Sequence, residues 1–239
     1  MTEKATRDQI VEAADRLFYE RGYDHTSFAD IADAVRLSRG NFYYHFKSKD
    51  EILDAVIDLR LAGTRKMLEQ WEIEGKEPAA RIRRFIHILV ANRTPIKRYG
   101  CPVGTLCAEL AKLDHPSRAE ASKLFTLFRT WLGKQFVLLG RRADADALAM
   151  HLLARSQGVA TLANAFHDDK FIEYEVRRMC DWLRSLTDPA GRDDTASSGR
   201  ANARRAASNK SAGGGKRERT RKQAGKEARA RTGGRLHPE

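Results

Sequence analysis

The chain has 239 residues, with 44 lysines and arginines against 32 aspartates and glutamates, and a formal charge of +12 at neutral pH. This balance favours polyanionic partners, either nucleic acid or the surface of an anionic membrane. No apolar run has the length of a membrane span or of a signal peptide, and the three cysteines are too sparse for a disulfide framework. We therefore expect a soluble, cytoplasmic protein.

Helical periodicity begins close to the N-terminus. In residues 7–21 the apolar side chains recur on one face of a helix, and Gly22 is placed to end it. Thr26 or Ser27 can cap a second helix that ends near residue 34, with an aspartate following in its first turn. The two apolar faces together predict the beginning of a small core.

A third short helix follows the second after only four residues. Ser38 caps it, and the predicted helix covers residues 39–46. This is the spacing of a helix-turn-helix, whose second helix enters the major groove of DNA. The segment 38–52 combines cations, hydroxyls, a glycine and adjacent tyrosines, a mixture that suits contact with phosphates and bases. It has no nucleophile–base pair of the kind that a catalytic site needs.

The chain between residues 48 and 186 also shows helical periodicity, and no segment alternates like a strand. The predicted fold class is therefore all-α. The first predicted helix of this part runs from Ser48 towards Trp71, and the next begins at Pro78. Breaks are predicted at Pro95 and at 100–102. They are followed by a short helix to Leu113, a long helix to Gly140, and two last helices near 144–166 and 170–186.

The composition changes at residue 188. Residues 188–239 carry 14 lysines and arginines against six carboxylates, and Leu236 is their only large apolar side chain. Such a segment cannot bury enough apolar surface to offset the entropy lost on ordering. We therefore predict a disordered basic tail, which either adds non-specific affinity for DNA or only keeps the protein soluble.

The helix-turn-helix segment resembles the TetR family of bacterial repressors. The matching runs are T-S-F-A-D-I-A at 26–32 and S-R-G-N-F-Y-Y-H-F-K-S-K at 38–49, and the resemblance is dense over residues 6–55. It implies a helix-turn-helix DNA-binding domain at 1–48 and a helical ligand-binding and dimerisation domain at 49–187. It does not cover the tail at 188–239.

The resemblance also implies roles for single residues. Arg39, Gly40 and Tyr43 correspond to positions that face the bases, where an arginine can reach guanine and a glycine permits close approach. The turn departs from the family because Arg36 stands where glycine is usual, so we expect Arg36 either to adopt positive φ or to reshape the turn. The predicted phosphate contacts are Thr26, Ser38, Asn41, Tyr44, His45 and Lys49.

A small-molecule inducer of unknown identity is implied as well, bound among the middle helices. For the aromatic candidates, ordinary core packing is the alternative interpretation. The candidate lining residues are His87, Arg93, Cys107, Phe125, Phe128, Trp131, Gln135, His151 and Asn164.

Two further features concern partners and redox chemistry. The family resemblance implies a homodimer through the helices near 144–166 and 170–186, which have more apolar surface than one buried face needs. The alternative is that these helices only complete the core of a single chain. Cys101, between Gly100 and Pro102, is a candidate sensor of oxidants or electrophiles, or simply a small residue at a tight helix start.

These patterns predict a sequence-specific transcriptional regulator, a repressor that binds a palindromic operator as a homodimer and is released by a ligand. The alternative is a histone-like architectural protein that uses the basic tail. No hydrolase or metalloprotease motif is present and the cysteines lack zinc-ligand spacing, so we predict neither an enzyme nor a metal or other cofactor.

Overall fold

The computed structural model describes residues 5–187, and every regular element in that range is a helix. The predicted basic tail at 188–239 lies outside the described residues. The helices are α1 (Thr6–Arg21), α2 (Phe28–Ala34), α3 (Arg39–His45), α4 (Lys49–Glu74), α5 (Pro78–Ala91), α6 (Arg93–Tyr99), α7 (Pro102–Lys112), α8 (Arg118–Leu138), α9 (Ala145–Phe166) and α10 (Asp169–Thr187).

Helices α2, α3 and α4 begin at serines that the sequence indicates. Ser27, rather than Thr26, caps α2 and forms a full capping box with Asp30. The Ser38 hydroxyl accepts a hydrogen bond from the Asn41 amide at the start of α3, and Ser48 caps α4 in the same way. These caps satisfy amides that have no partner within the helix, and they fix where each helix begins.

The buried side chains form two hydrophobic cores. The first core joins α1, α2, α3 and the first half of α4, and it also includes Leu106 and Leu110 from α7 and Leu124 from α8. The second core is built by α5, α9, α10 and the later part of α8, with Leu68 near the end of α4. Because α4 contributes to both cores, the domain boundary predicted at residue 48 stays a proposal.

The prediction of a break at Pro95 is wrong. Asn92 ends α5 and α6 begins at the next residue, so Pro95 lies in the first turn of α6. The amides of a first turn have no partner within the helix, and a proline there removes no hydrogen bond. The chain breaks at Asn92 instead, and the predicted break at 100–102 is confirmed, because Gly100 adopts positive φ before Pro102 starts α7.

Within residues 5–187, none of the helices is both long and apolar enough to cross a membrane.

Candidate nucleic-acid interface and ligand cavity

The second helix of the helix-turn-helix, α3, is held by aromatic side chains. Phe42 is fully buried, and the Phe28 ring packs edge-on against it with 4.6 Å between the ring centroids. The other neighbour of Phe28 is Tyr43, whose ring stacks on it at 4.9 Å. At the end of α3, Phe46 is buried, and the Arg7 guanidinium lies 4.8 Å from the centre of its ring. The core therefore fixes the orientation of α3.

The opposite side of α3 is open to solvent. Asn41 is exposed, Tyr43 is half exposed and Tyr44 is 79% exposed, while His45 is partly covered. No atom lies within 4 Å of the place where a side chain would begin at Gly40, so another backbone can approach there. We call Gly40, Asn41, Tyr43 and Tyr44 the α3 face. It has the shape and chemistry of a surface that reads a DNA groove.

Lys47 extends the α3 face and was absent from the predicted contacts. Its side chain is exposed, and its ammonium donates to the Tyr43 carbonyl at 2.6 Å. The Lys47 amide donates to the Glu51 carboxylate at 2.8 Å, which ties the end of α3 to the first turn of α4. Lys47 therefore places a positive charge at the carboxyl end of α3, where the helix dipole favours one.

Two predicted phosphate contacts have other partners. Thr26 is completely buried, and its hydroxyl donates to the Gly22 carbonyl at 2.7 Å, so a phosphate contact through this hydroxyl is wrong. The Lys49 ammonium donates to the Tyr23 carbonyl at 3.0 Å and lies 4.1 Å from the centre of the Tyr23 ring. Both side chains hold the loop between α1 and α2 in place.

The turn between α2 and α3 confirms that Arg36 adopts positive φ, at 55°. The Leu37 amide donates to the Ala32 carbonyl, and the Arg36 amide donates to the Asp33 carbonyl. These two hydrogen bonds make a Schellman motif, in which the position of Arg36 is usually a glycine. The turn keeps its ordinary hydrogen bonds, and the departure from the family appears as local backbone strain.

A polar network connects the loop after α1 with the rest of the chain. The Glu109 carboxylate of α7 accepts hydrogen bonds from the backbone amides of Tyr23 and Asp24, both at 2.9 Å. The Tyr23 hydroxyl donates to the Asp50 carboxylate, and the His115 ring nitrogen lies 3.2 Å from the same hydroxyl. Burial and the neighbouring Asp50 carboxylate raise the pKa of Tyr23. The phenol therefore remains protonated and keeps its role as a donor.

Arg60 makes a second connection, between α1, α4 and α7. Its guanidinium is only 11% exposed; it donates to the Asp15 carboxylate at 2.5 Å and to the Pro102 carbonyl at 2.7 Å. Pro102 is the first residue of α7 and lines the apolar cavity described below. One side chain thus touches both a DNA-binding helix and the wall of that cavity.

A cavity of about 320 Å³ lies between α1, α4, α5, α6, α7, α8 and α9. Tyr19 of α1 forms part of its wall and donates to the Gly100 carbonyl at 2.8 Å. Mainly because it is buried, the pKa of Tyr19 is raised to about 12. The lining residues are Tyr19, Thr64, Met67, Phe85, Ile88, Leu89, Asn92, Pro95, Ile96, Cys101, Pro102, Val103, Phe125, Phe128, Leu153, Ser156, Gln157 and Ala160.

Some of the predicted ligand residues line this space and others do not. Phe125 and Phe128 line the cavity, together with Cys101. Cys107 and Asn164 line a more open neighbouring pocket, which shares Cys101, Phe125 and Gln157 with the first. Two lining residues were not predicted: Tyr19 of α1, and Gln157, which like Asn164 is a polar residue on the apolar helix α9.

The remaining candidates line neither of these two spaces. His87 is exposed, with its ring 3.7 Å from the Cys180 sulfur, and Arg93 pairs with Glu173. His151 is exposed and packs against Trp182. Trp131 and Gln135 are buried in the second core, where Trp131 packs against Trp71 and Gln135 accepts a hydrogen bond from Arg81.

No cluster of three or more histidine, cysteine, aspartate or glutamate side chains in the described part of the chain could hold a metal ion.

The geometry defines a helix-turn-helix DNA-binding protein joined to a helical domain with a cavity, and comparisons with known proteins give the family. A family profile described as "Bacterial regulatory proteins, tetR family" matches residues 10–56. An uncharacterised HTH-type transcriptional regulator from the lacX 3' region of Lactococcus lactis is 31% identical over 172 residues, covering 70% of this chain and 88% of that protein. The HTH-type transcriptional repressor DhaR of Mycobacterium sp. is 26% identical, covering 66% and 82%.

Comparison with solved structures finds the same fold. A TetR transcriptional regulator from Legionella pneumophila superimposes with a TM-score of 0.67 at 24% identity, covering 76% of this chain and 98% of that one. The chain belongs to the TetR family of helix-turn-helix transcriptional regulators. The histone-like alternative has no support among these relatives.

Proposed function

We propose that this regulator is a cytoplasmic repressor that binds a palindromic operator as a homodimer, requires no cofactor and leaves the DNA when a small molecule enters the cavity. The observation that carries the proposal is the α3 face, an exposed polar and aromatic surface held on a buried aromatic core. Selection of bound fragments from random DNA by the purified protein tests it. Enrichment of one inverted repeat supports the proposal, and equal retention of all sequences contradicts it.

We assign the DNA contacts by their position on this surface. Arg39 is assigned to the bases together with Gly40 and Tyr43 because it is the first residue of α3; its side chain is not among those that the structure describes. Thr26 and Lys49 are omitted because they hold the preceding loop, and Arg7 and Lys47 are added because both are exposed cations at the end of α3. The remaining phosphate contacts are Ser38, Asn41, Tyr44 and His45.

Replacing Arg39 by alanine should relax specificity at one base pair of each half-site. A bidentate contact between arginine and guanine contributes about 1–3 kcal/mol of discrimination, so the preference for the correct base should fall about 5- to 150-fold. Replacing Lys47 by alanine should weaken binding to all sequences alike and reduce the salt dependence of binding. Competition binding with single-base operator variants at several salt concentrations measures both effects.

Lys66→Ala provides the control for these substitutions, because Lys66 is an exposed cation on α4 outside the helix-turn-helix. It should leave both base preference and salt dependence unchanged. If Arg39→Ala weakened every sequence equally, the assignment of Arg39 to base recognition would be contradicted.

The outer face of α9 supports the homodimer. From Ala147 to Phe166, none of the exposed residues of α9 carries a formal charge, and Phe166 is 72% exposed. Met150 and Leu162 are also substantially exposed, and small residues such as Gly158 lie between them. An uncharged face of this length is unusual on a surface helix and suits close packing against a second copy of the same helix.

Replacing Leu162 by glutamate should therefore give a monomer and weaken operator binding strongly. A buried unpaired charge in each copy destabilises the interface, and both half-sites are no longer bound together. Light scattering coupled to size-exclusion chromatography measures the mass. The control is Ile73→Glu, because Ile73 is an equally apolar residue that is 77% exposed on α4. If Leu162→Glu remained dimeric, this interface would be wrong.

Cys101 remains our candidate for a redox or electrophile sensor. It is the N-cap of α7, its sulfur accepts a hydrogen bond from the Gly104 amide at 3.4 Å, and it lines the cavity. Burial raises the pKa of Cys107 to about 11 and also raises that of Cys180, so these two thiols are the less reactive ones.

An electrophile should release the wild-type protein from DNA but leave the Cys101→Ser variant bound. The Cys180→Ser variant, which keeps Cys101, should respond like the wild type. Fluorescence anisotropy of labelled operator DNA, before and after treatment with N-ethylmaleimide, measures the response. Equal release of Cys101→Ser would show that another group is responsible.

A further inference from the structure

The wall of the cavity contains no charged side chain. Its lining includes no lysine, arginine, histidine, aspartate or glutamate. The largest part is apolar, with Phe85, Ile88, Leu89, Phe128 and Leu153 among the contributors. An ionised group entering such a space would lose its hydration without gaining a counter-ion.

Most polar groups on the wall already have partners. The Tyr19 hydroxyl donates to the Gly100 carbonyl, the Ser156 hydroxyl to the Leu153 carbonyl at 2.7 Å, and the Asn92 amide to the Ile88 carbonyl at 2.9 Å. These bonds satisfy the donors through the protein itself.

Gln157 differs from these residues. Within residues 5–187 its side-chain amide makes no hydrogen bond, although the residue is partly buried and lines both the cavity and the open pocket beside it. Its oxygen lies so close to Gly104 that a β-carbon there would collide with it. Within the described residues the amide therefore keeps both its donor and its acceptor available for a ligand.

Resting on the proposed function, we propose that the cavity selects an uncharged, largely apolar molecule with one hydrogen-bonding group, and that Gln157 binds this group. The volume of about 320 Å³ is near the lower limit of ligand pockets in proteins. It suits a compact molecule of about two rings rather than a long chain or a large natural product. The amide of Gln157 can meet a hydroxyl or a carbonyl equally well.

Three probes of nearly the same shape test the proposal with the full-length protein. Biphenyl is apolar, 4-phenylphenol adds one hydroxyl, and biphenyl-4-carboxylate adds a charge. In equilibrium dialysis we expect 4-phenylphenol to bind with one molecule per chain and the carboxylate to bind about a hundredfold more weakly, because its charge would be buried without a partner.

The variant Gln157→Leu keeps the volume of the side chain and removes its hydrogen-bonding groups. It should weaken binding of 4-phenylphenol about three- to tenfold, the range for one neutral hydrogen bond, and leave biphenyl unchanged. The matched control is Gln70→Leu on the exposed part of α4, which should affect neither probe. Equal melting temperatures would show that the variants are folded.

Two results would overturn the proposal. One is binding of the carboxylate as tight as that of the phenol, and the other is an unchanged preference for the phenol over biphenyl in Gln157→Leu. Absence of binding by all three probes would also overturn it. Because none of these measurements uses DNA, enrichment of an inverted repeat by the same preparation would leave the proposed function standing.

Discussion

Replacing Phe42 with alanine is expected to lower the free energy of unfolding by about 3–5 kcal/mol, the usual range for a fully buried phenylalanine. Phe42 has no exposed surface, and its ring is the partner against which Phe28 packs. Its loss leaves a cavity between α2 and α3, so α3 should no longer be held in one orientation. Operator binding should be lost together with the stability. Urea denaturation and anisotropy with operator DNA measure the two effects.

Tyr44 provides the control within the same helix, because it is an aromatic residue of similar size on the exposed side. Tyr44→Ala should change stability by less than about 0.5 kcal/mol, as surface substitutions usually do, while still weakening DNA binding. If Phe42→Ala bound operator DNA normally, the packing of Phe28 on Phe42 would not be what orients α3.

Replacing Arg60 with methionine should have the second large effect, on stability and on the response to ligand. Breaking a buried ion pair costs about 3–5 kcal/mol, but the Asp15 side chain is 35% exposed and water can take over part of the interaction. We therefore expect a loss of about 2 kcal/mol. The substitution also removes the bond to the Pro102 carbonyl at the cavity wall.

The ligand response of this variant should decline more than its DNA affinity. A ligand that binds tightly to Arg60→Met but no longer changes its affinity for operator DNA would show that Arg60 carries coupling free energy. Arg65→Met, at an exposed position on the same helix, should keep both stability and response. Full ligand response in Arg60→Met would contradict this role and place the coupling elsewhere, for example in the contact between Glu109 and the loop at Tyr23.

The parts of the structure that the sequence predicted well are those that local interactions determine. Ser38 and Ser48 indicate where α3 and α4 begin, because a serine hydroxyl at a helix N-terminus accepts a hydrogen bond from a free amide only a few residues away. The positive φ of Arg36 could be expected for a similar reason, since the conformation belongs to a turn of fixed length.

The cavity could not be predicted in the same way. Its lining depends on which faces of helices far apart in the sequence come together. Tyr19 and Gln157, for example, line the same cavity but are 138 residues apart in the chain. The position of Thr26 could not be predicted either. A threonine hydroxyl can contact a phosphate, but the path of the loop turns this hydroxyl inward, where it donates to the Gly22 carbonyl. Polar candidates such as His87 were misplaced because periodicity shows that a helix has a buried side without showing what covers its other side.

The composition of the first core has a consequence for synthesis on the ribosome. The DNA-binding helices are complete by residue 48, but their core also needs Leu106 and Leu110 of α7 and Leu124 of α8. A nascent chain should therefore leave part of the apolar surface of α1 and α4 uncovered until α8 has left the exit tunnel, a period in which such surfaces are open to misassembly and to chaperones. The core around the helix-turn-helix is thus completed only when more than half of the described chain has been made.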